Sequence, residues 1–555
     1  SAASISGRAS RELALASGQS ERDVAAAAIE LAERAGADLA YAPATRAADG
    51  AAAEDAAWTG FAAPPAAHVG YYLADEGRAE LERRVAARFS AGSRLMRAIL
   101  AHPARVYMGS TAFLTAFLVL GAALYAATQG GSPWLVLLAV GVTFMPALAA
   151  AIATVDWIIT LIVPPRTLPK LDLAEQSGAA AIPDALRSLV VVPALIGDAE
   201  DVASLLRQIE QHYLRNPDAN LYFALLTDFV DADEQHLPGD EALLEQQRAG
   251  IAQLNERYAA LSGAAEGPFC MFHRERRWNP KEGRWIGWER KRGKLHELNR
   301  WLRGATDTSI VSYIGPAAAL REVRYVITLD ADTILGRDGA RALIATLAHP
   351  LNRAAADPET GRVRRGYGLL QPRTEIVPAS ANYSHFSRIF AGDIGLDLYT
   401  NAVSNVYQDL FGSGIYVGKG IYDIDAFERS LDGRAPENTL LSHDLFEGIH
   451  ARVGLVTDIV VYEEYPAAIG NLEYLSYTYG MPVPESIWLK LKPDGDGAEV
   501  LRIVRDGMGI EPVGGRDTVG LIAAERGKTE RVGVFGTLSI GFMASAVMAF
   551  SGLLI

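Results

Sequence analysis

Two aspartates one residue apart stand at the end of an apolar stretch. Asp330 and Asp332 close the string RYVITLDAD, whose β-branched residues favour a strand. Carboxylates this close repel each other unless a cation compensates them. Mg²⁺ or Mn²⁺, held by such a pair and by a substrate diphosphate, is a common arrangement. The alternative is that the aspartates cap the next helix, and the pair alone does not decide between the two.

The segment around these aspartates alternates short apolar runs with helical patterns. Near-continuous apolar strands separated by helices predict a parallel sheet covered on both faces, with ligands at the carboxyl ends of the strands. Asp228 ends another such run and becomes a third candidate. The predicted strands are residues 188–195, 221–228 and 324–332, and the predicted helices include residues 199–215 and 239–259.

The composition excludes several classes of protein. The chain has 555 residues, 50% of them hydrophobic, which is enough for a large core and more than one domain. A formal charge of -14 argues against nucleic acid as the main partner. Cys270 is the single cysteine, so a disulfide scaffold is excluded and a reducing compartment is favoured.

Three almost uncharged runs are long enough to cross a bilayer. Their length disfavours the alternative, a buried helix of a soluble core. Basic residues flank the runs but are absent from the short link between the first two, so the positive-inside rule places the other regions in the cytoplasm. The chain ends inside the third run and begins with Ser, so we expect a fragment of a longer protein. No cleavable signal peptide is visible at its start. The runs are residues 110–128, 134–162 and 532–555, and the flanking residues are Arg97, Arg105, Arg166, Lys170, Arg526, Lys528 and Arg531.

These patterns predict five parts, in chain order. A helical N-terminal cytoplasmic region is followed by a transmembrane hairpin, a large α/β domain, a linker or interfacial region in which segments are missing, and the start of further spans. The predicted parts are residues 1–105, 106–165, 166–466, 467–531 and 532–555.

A series of motifs in this order resembles the inverting, membrane-bound glycosyltransferases of family 2. The strings are VVVPALIGD, LLTDFVDADE, RKRGKLHELNRWLRG, LDAD and LLSHDLFEG. Longer strings, among them FHRERRWNPKEGRWIGWERKRGKLHELN and FGSGIYVGKGIYDIDAF, closely resemble the glycosyltransferase region of the cyclic β-1,2-glucan synthases of Gram-negative bacteria. The resemblance implies a GT-A fold, which is a Rossmann-like α/β domain with a mixed, mostly parallel sheet.

The resemblance also implies a reaction. Glucose would pass from UDP-glucose, with inversion, to a growing β-1,2-glucan at the bacterial inner membrane, with the catalytic domain in the cytoplasm. Asp444 would be the catalytic base, and Asp332, supported by Asp330, would hold Mg²⁺ or Mn²⁺. Asp228 would contact the uridine. Lys294 would contribute a second cation at the diphosphate or, alternatively, be a solvated lysine in a charge run.

Other positions follow from the same resemblance as donor-side or acceptor-side contacts. For the glycines the alternative is turn formation, and for the aromatic residues it is core packing. His443 would contact the metal or orient Asp444. The further binding candidates are Asn299, Gln371, Arg373, Gly418 and Lys419, with Gly412, Gly414 and Gly420 for close backbone approach and Trp288, Tyr416 and Tyr422 for stacking on sugar.

The family's wider architecture sets further expectations. The glucan is expected to grow on a tyrosine of the protein, for which Tyr399 and Tyr407 are the candidates, and cyclising and phosphorylase-like domains are expected in the full-length chain. The Arg-x-x-Arg-Trp type of motif of processive relatives does not occur here, so a segment is absent or the motif is lost. Two alternatives stay open: another family 2 polysaccharide synthase of different linkage, or a catalytically impaired membrane scaffold that binds nucleotide sugar.

Overall fold

The computed structural model describes residues 2–41, 64–173, 182–262, 266–377, 380, 405–435 and 443–464. The chain divides into two compact units, Ser1–Met481 and Pro482–Ile555, and all described residues belong to the first. Tyr399, the predicted linker and the predicted span at residues 532–555 lie outside the described residues.

Among the described residues, nine strands form one sheet in the order β6-β3-β2-β1-β7-β12-β11-β13-β8. Strands β3, β2, β1 and β7 are mutually parallel, whereas β6, β12 and β8 pair antiparallel with their neighbours. Two short hairpins, β4–β5 and β9–β10, stand apart. The strands are β1 (Ser188–Ile196), β2 (Leu221–Phe229), β3 (Phe269–Arg274), β4 (Arg277–Asn279), β5 (Arg284–Ile286), β6 (Ile310–Ile314), β7 (Tyr325–Thr328), β8 (Thr333–Leu335), β9 (Ala355–Ala356), β10 (Val363–Arg365), β11 (Leu369–Ile376), β12 (Gly420–Asp423) and β13 (Val453–Glu463).

Helices cover both faces of this sheet. Strand β2 is buried along its whole length, as expected for a strand with helices on both sides. This mixed α/β sheet with a parallel centre confirms the predicted fold class. The α-helices are α1 (Ala2–Ser17), α2 (Glu21–Tyr41), α3 (Val69–Ala74), α4 (Arg78–Arg84), α5 (Ala91–Ala101), α6 (Pro103–Thr128), α7 (Pro133–Ile162), α8 (Ala199–Arg215), α9 (Asp240–Ser262), α10 (Arg290–Leu302), α11 (Ala317–Arg321), α12 (Gly339–Leu347), α13 (Ile424–Leu431) and α14 (His443–Ala451).

The first four helices form a small bundle of their own. Leu13, Val24 and Leu81 are buried at its centre together with Tyr72. This agrees with the predicted helical N-terminal region.

Helices α6 and α7 are long and apolar enough to cross a membrane, and they pack against each other. They correspond to the first two predicted spans. Large apolar side chains such as Phe113 and Trp134 are exposed on them, which is the surface that lipid contact requires. At its C-terminal end, α7 packs through Ile159 against Leu410, which lies in a π-helical turn, Tyr407–Phe411.

Candidate active site

The parallel strands bring the predicted carboxylates to one edge of the sheet. Asp228 lies at the end of β2, in register with Leu195 of β1 and with Arg274 of β3. Asp330 and Asp332 lie in the tight turn between β7 and β8. Since β7 and β2 both pair with β1 in parallel, their carboxyl ends open on the same side of the sheet.

Asp228 is completely enclosed. Its side chain is 1% exposed and that of Arg274 is 0% exposed, and the guanidinium donates to both carboxylate oxygens at 2.8 Å. Burial opposes ionisation of Asp228, but Arg274 and Lys294 together hold its pKa below its ordinary value. A bidentate pair of this kind fixes both side chains.

The network around Arg274 extends to a second buried acid. Arg274 Nη1 donates to Glu297 Oε2 at 2.8 Å, and Glu297 Oε1 accepts the backbone N–H of Ser309 at 2.9 Å. Gly287 closes the other side, because a Cβ at that position would stand 2.0 Å from Asp228 Oδ2. The whole cluster therefore lies beneath the surface.

Lys294 belongs to this buried cluster and is not a solvated lysine. Its side chain is 4% exposed, with Nζ 3.4 Å from Asp228 Oδ2 and 2.5 Å from the carbonyl oxygen of Ala194. Burial lowers the pKa of Lys294 to about 8, although the Asp228 carboxylate opposes this. The ammonium charge compensates Asp228 in this structure.

Asp330 holds two ammonium groups. Lys291 Nζ donates to Oδ1, and Lys419 Nζ lies 3.0 Å from Oδ2 and also contacts Glu463. Burial opposes ionisation of Asp330, yet the two lysines hold its pKa below its ordinary value. Two ammonium groups, offset by Asp330 and Glu463, therefore lie at the point where a diphosphate is predicted.

Asp332 differs from its neighbour because it is exposed. Partial burial and the like charge of Asp330 raise its pKa. An exposed carboxylate beside a second one is a suitable donor set for a hard divalent cation, with water and phosphate oxygens completing the shell. The residues present therefore fit Mg²⁺ or Mn²⁺, with Asp332 as the open ligand.

The loop before β12 joins this edge to Asp444. Lys291 Nζ donates to the carbonyl oxygen of Gly418 at 2.8 Å. A Cβ on Gly418 would lie 2.9 Å from Asp444 Oδ1 and 3.0 Å from Oδ2. Gly418 also has φ +83°, a region that favours glycine. A continuous series of contacts thus connects Asp330, through Lys291 and Gly418, to Asp444.

Asp444 lies in the first turn of α14, beside His443. His443 Nδ1 is 3.2 Å from Asp444 Oδ1 and 3.0 Å from Glu447 Oε1. Burial would lower the pKa of His443, but Glu447 and Asp444 raise it above its ordinary value. Ligand atoms of these three residues lie within 4.8 Å of one another. The imidazole stands between the two acids, which corresponds to the orienting role considered for His443.

Several other predicted residues make internal contacts. Tyr422 OH donates to Asn299 Oδ1 at 2.9 Å, and both residues are buried. Tyr416 is buried as well, and burial with the carboxylates of Glu447 and Asp444 raises its pKa well above its ordinary value. Core packing, the alternative for Tyr416 and Tyr422, describes these contacts.

Gln371 and Arg373 lie on β11. Gln371 Oε1 accepts the backbone N–H of Val417 at 3.0 Å, which places it behind the Gly418 loop. Arg373 lies 2.6 Å from Glu375. Tyr407 packs against Phe411 in the π-helical turn, whose Leu410 packs against the C-terminal end of α7.

The remaining glycines of the loop serve packing. A Cβ on Gly414 would stand 3.0 Å from Leu455, and one on Gly420 would stand 2.0 Å from the carbonyl oxygen of Leu370. Gly412, with φ +67°, would meet Arg166 at 2.6 Å. Among the four glycines, Gly418 is the one whose Cα faces the Asp444 carboxylate.

No protein-family model matches the chain. Over 456 residues it is 38% identical to the cyclic beta-(1,2)-glucan synthase NdvB of Rhizobium meliloti (strain 1021). The chain is therefore similar to part of a cyclic β-(1,2)-glucan synthase. This confirms the resemblance drawn from the motifs. The match covers 82% of this chain and 15% of the length of that protein.

Three residues of the candidate site were not predicted from the sequence. Arg274 had a detectable signal, because it ends the apolar run before Glu275 and would be adjacent to Asp228 in a parallel pairing. Lys291 was hidden in the basic string RKRGK. Glu447 stands one helical turn after His443, a spacing that places both on one face.

Proposed function

We propose that this chain is the polymerising part of a cyclic β-1,2-glucan synthase. It would be an inverting, metal-dependent glucosyltransferase that uses UDP-glucose to elongate a membrane-associated β-1,2-glucan. The observation that supports the proposal is the series of contacts that connects Asp330, next to Asp332, through Lys291 and Gly418 to Asp444. Similarity to NdvB supports the assignment to glucan synthesis.

The diphosphate of the donor would bind beside Lys291 and Lys419. Lys291 and Lys419 are within reach of Asp330 and carry the charge that phosphate oxygens need. Mg²⁺ or Mn²⁺, when bound by Asp332 with support from Asp330, supplies further positive charge that offsets the charge on the departing UDP. Asp228 and Lys294 are buried and would support the part of the site that contacts the uridine.

Asp444 would accept the proton of the acceptor hydroxyl as its oxygen attacks the anomeric carbon. Its side chain is 30% exposed, so an acceptor can contact it. His443 would hold the carboxylate in place, and Glu447 would hold His443. A base of this kind acts through position as much as through pKa, and attack from the face opposite UDP gives inversion.

The two apolar helices suggest the setting. We place α6 and α7 in the inner membrane and the sheet in the cytoplasm, because basic residues flank the predicted spans and are absent from their short link. The growing β-glucan, attached to Tyr399 or Tyr407, and the cyclising and phosphorylase-like domains of a longer chain would be its further partners.

Incorporation of radiolabelled glucose from UDP-glucose by purified wild type and Asp444→Asn tests this function. We expect the variant to lose about 10²- to 10⁴-fold in rate while UDP binding is retained, and the wild-type product to carry β-1,2 linkages. Equal rates would remove Asp444 as the base. A β-1,3 or β-1,4 product would replace the family assignment, and UDP binding without incorporation by the wild type would favour the scaffold.

A further inference from the structure

A cavity of about 300 Å³ lies beside α14, among the described residues. It is bounded by α10 with the residues just before it, by α13 and by α14. Its volume is at the lower end of the ~300–1,000 Å³ range of small-molecule sites. Its wall residues include Trp288, Arg292, Phe427, Glu428, Phe446 and Glu447.

Aromatic side chains form two walls of this cavity. Trp288 and Phe446 are half-buried, and Phe446 is braced by His450 with ring centroids 4.4 Å apart. Phe427 is buried and stacks on Tyr422 at 4.5 Å. Flat apolar faces held rigidly in this way suit the C–H faces of a pyranose ring.

The polar groups of the cavity are mostly hydrogen-bond acceptors. Glu428 Oε2 lies 2.9 Å from His296 Nδ1. Glu447 is 3% exposed, and its Oε2 has no hydrogen-bond partner among the described residues. A buried acceptor without a donor is costly, and a ligand hydroxyl would satisfy it.

The charges of the cavity exclude an anionic ligand. Glu428, Asp432 and Glu447 contribute three carboxylates to the lining, and the one guanidinium there, that of Arg292, is paired with Glu289 at 3.0 Å. A phosphate would be repelled, whereas a neutral polyol can donate to the carboxylates. The aromatic walls favour a sugar among the neutral polyols.

We propose that this cavity is a subsite for a neutral glucosyl unit, with Trp288 and Phe446 as stacking walls and Glu447 as a hydroxyl acceptor. The inference rests on the proposed function and adds the location of one sugar-binding subsite. Glu447 and Asp444 share His443, so a sugar in the cavity lies within one helical turn of the base. The unit is either the glucose of the donor or a residue of the acceptor glucan.

Substitution of the aromatic walls tests the subsite in the full chain. The variants are Trp288→Ala, Trp288→Phe and Phe446→Ala. Trp278→Ala is the matched control, because Trp278 is 52% exposed and packs against Trp285 in the β4–β5 hairpin. The contact between the carbonyl oxygen of Trp288 and Arg274 at 3.1 Å is a backbone contact, so Trp288→Ala retains it.

The measurements are the KM for UDP-glucose, the KM for a β-1,2-gluco-oligosaccharide acceptor, the inhibition constant of UDP and the thermal midpoint. We expect Trp288→Ala and Phe446→Ala each to raise one of the two KM values roughly tenfold, with Trp288→Phe in between and the UDP constant unchanged. A raised KM for UDP-glucose identifies the donor glucose, and a raised KM for the oligosaccharide identifies the acceptor.

Two other outcomes distinguish a failure of the subsite from a failure of the proposed function. If both alanine variants match Trp278→Ala in both KM values, the subsite is wrong although the glucosyltransferase stands. If the wild type incorporates no glucose, the proposed function itself fails, and direct binding of the oligosaccharide by wild type and Trp288→Ala then decides whether the cavity binds sugar.

Discussion

Asp228 and Asp444 belong to the same compact unit, but they differ in exposure and in the groups that contact them. Asp228 is 1% exposed and receives two hydrogen bonds from a guanidinium that is itself fully buried. Asp444 has a side chain that is 30% exposed, and the nearest loop turns a glycine toward it. We therefore call Asp228 the sealed carboxylate and Asp444 the open carboxylate.

The difference separates carboxylates that hold the structure from those that can act on a ligand. A buried charge has to be paired at all times, because an unpaired one costs several kcal/mol. The Asp228 pair therefore cannot release its partner for a ligand. Asp330 is intermediate, since its partners are two lysines whose flexible side chains can turn toward a phosphate.

The largest expected effect on stability comes from disrupting the sealed cluster, which consists of Asp228, Arg274 and Glu297. Arg274→Met would leave Asp228 and Glu297 as buried carboxylates without their shared guanidinium, so the free energy of unfolding should fall by about 3–5 kcal/mol. Arg257→Met removes a pair with Glu210 in which the arginine side chain is 60% exposed, and should change stability by less than about 0.5 kcal/mol. Thermal unfolding in detergent compares the two variants. Similar midpoints would mean that the buried cluster is not structural.

The next largest expected effect concerns Asp444, the open carboxylate. Gly418→Ala would push a Cβ to 2.9 Å from Asp444 Oδ1, and a displaced base lowers turnover by about 10²-fold. Gly283→Ala has the same kind of strain, with φ +64° but nothing within 4 Å of the added Cβ. Both variants should lose about 1–2 kcal/mol of stability, and only Gly418→Ala should lose glucose transfer. Equal transfer rates would show that contact with Gly418 does not position Asp444.

Local pattern predicted the strands and helices around the sealed cluster well. The predicted run 188–195 is observed as Ser188–Ile196 and the predicted run 221–228 as Leu221–Phe229, because continuous apolar residues determine a strand that is buried on both faces. The helix predicted at 199–215 has the predicted bounds and begins with a capping box at Asp198, a strictly local signal.

Contacts between distant segments could not be predicted from the sequence. Arg274 and Asp228 are 46 residues apart, and their pairing depends on the β2–β3 register. Lys291 reaches Gly418 across 127 residues. The sheet order placing β12 beside β7 also depends on long-range topology. The motif positions were therefore predictable from the family resemblance, whereas the division into sealed and open carboxylates required the fold.

A smaller effect separates the two aspartates of the β7–β8 turn. Because Asp330 is held by lysines and Asp332 is exposed, Asp332→Asn should weaken the apparent affinity for Mn²⁺ at least tenfold, or about 1.4 kcal/mol. The raised pKa of Asp332 predicts that wild-type metal affinity falls as the pH drops through that value, and the asparagine variant should lack this loss. Titration of Mn²⁺ into protein stripped with EDTA, followed by UDP-glucose binding, measures both.

Asp338→Asn is the control for this substitution. Asp338 lies in the same segment with φ +56°, a conformation that asparagine tolerates. The control should bind Mn²⁺ as the wild type does. An equal loss in both variants would indicate a general charge effect and would remove Asp332 as the metal ligand.

The smallest effect concerns the histidine that links Asp444 to Glu447. The pKa of His443 is raised in the folded protein, so its contribution to stability is complete below the unfolded value of about 6.5 and is lost as the pH rises through the folded value. The difference in thermal midpoint between wild type and His443→Gln should therefore be larger at pH 6 than at pH 8.5. His450→Gln, on the same helix, removes a histidine whose Nδ1 contacts the carbonyl oxygen of Phe446 rather than an acid. If the two variants show the same pH dependence, the charge on His443 does not support the open carboxylate.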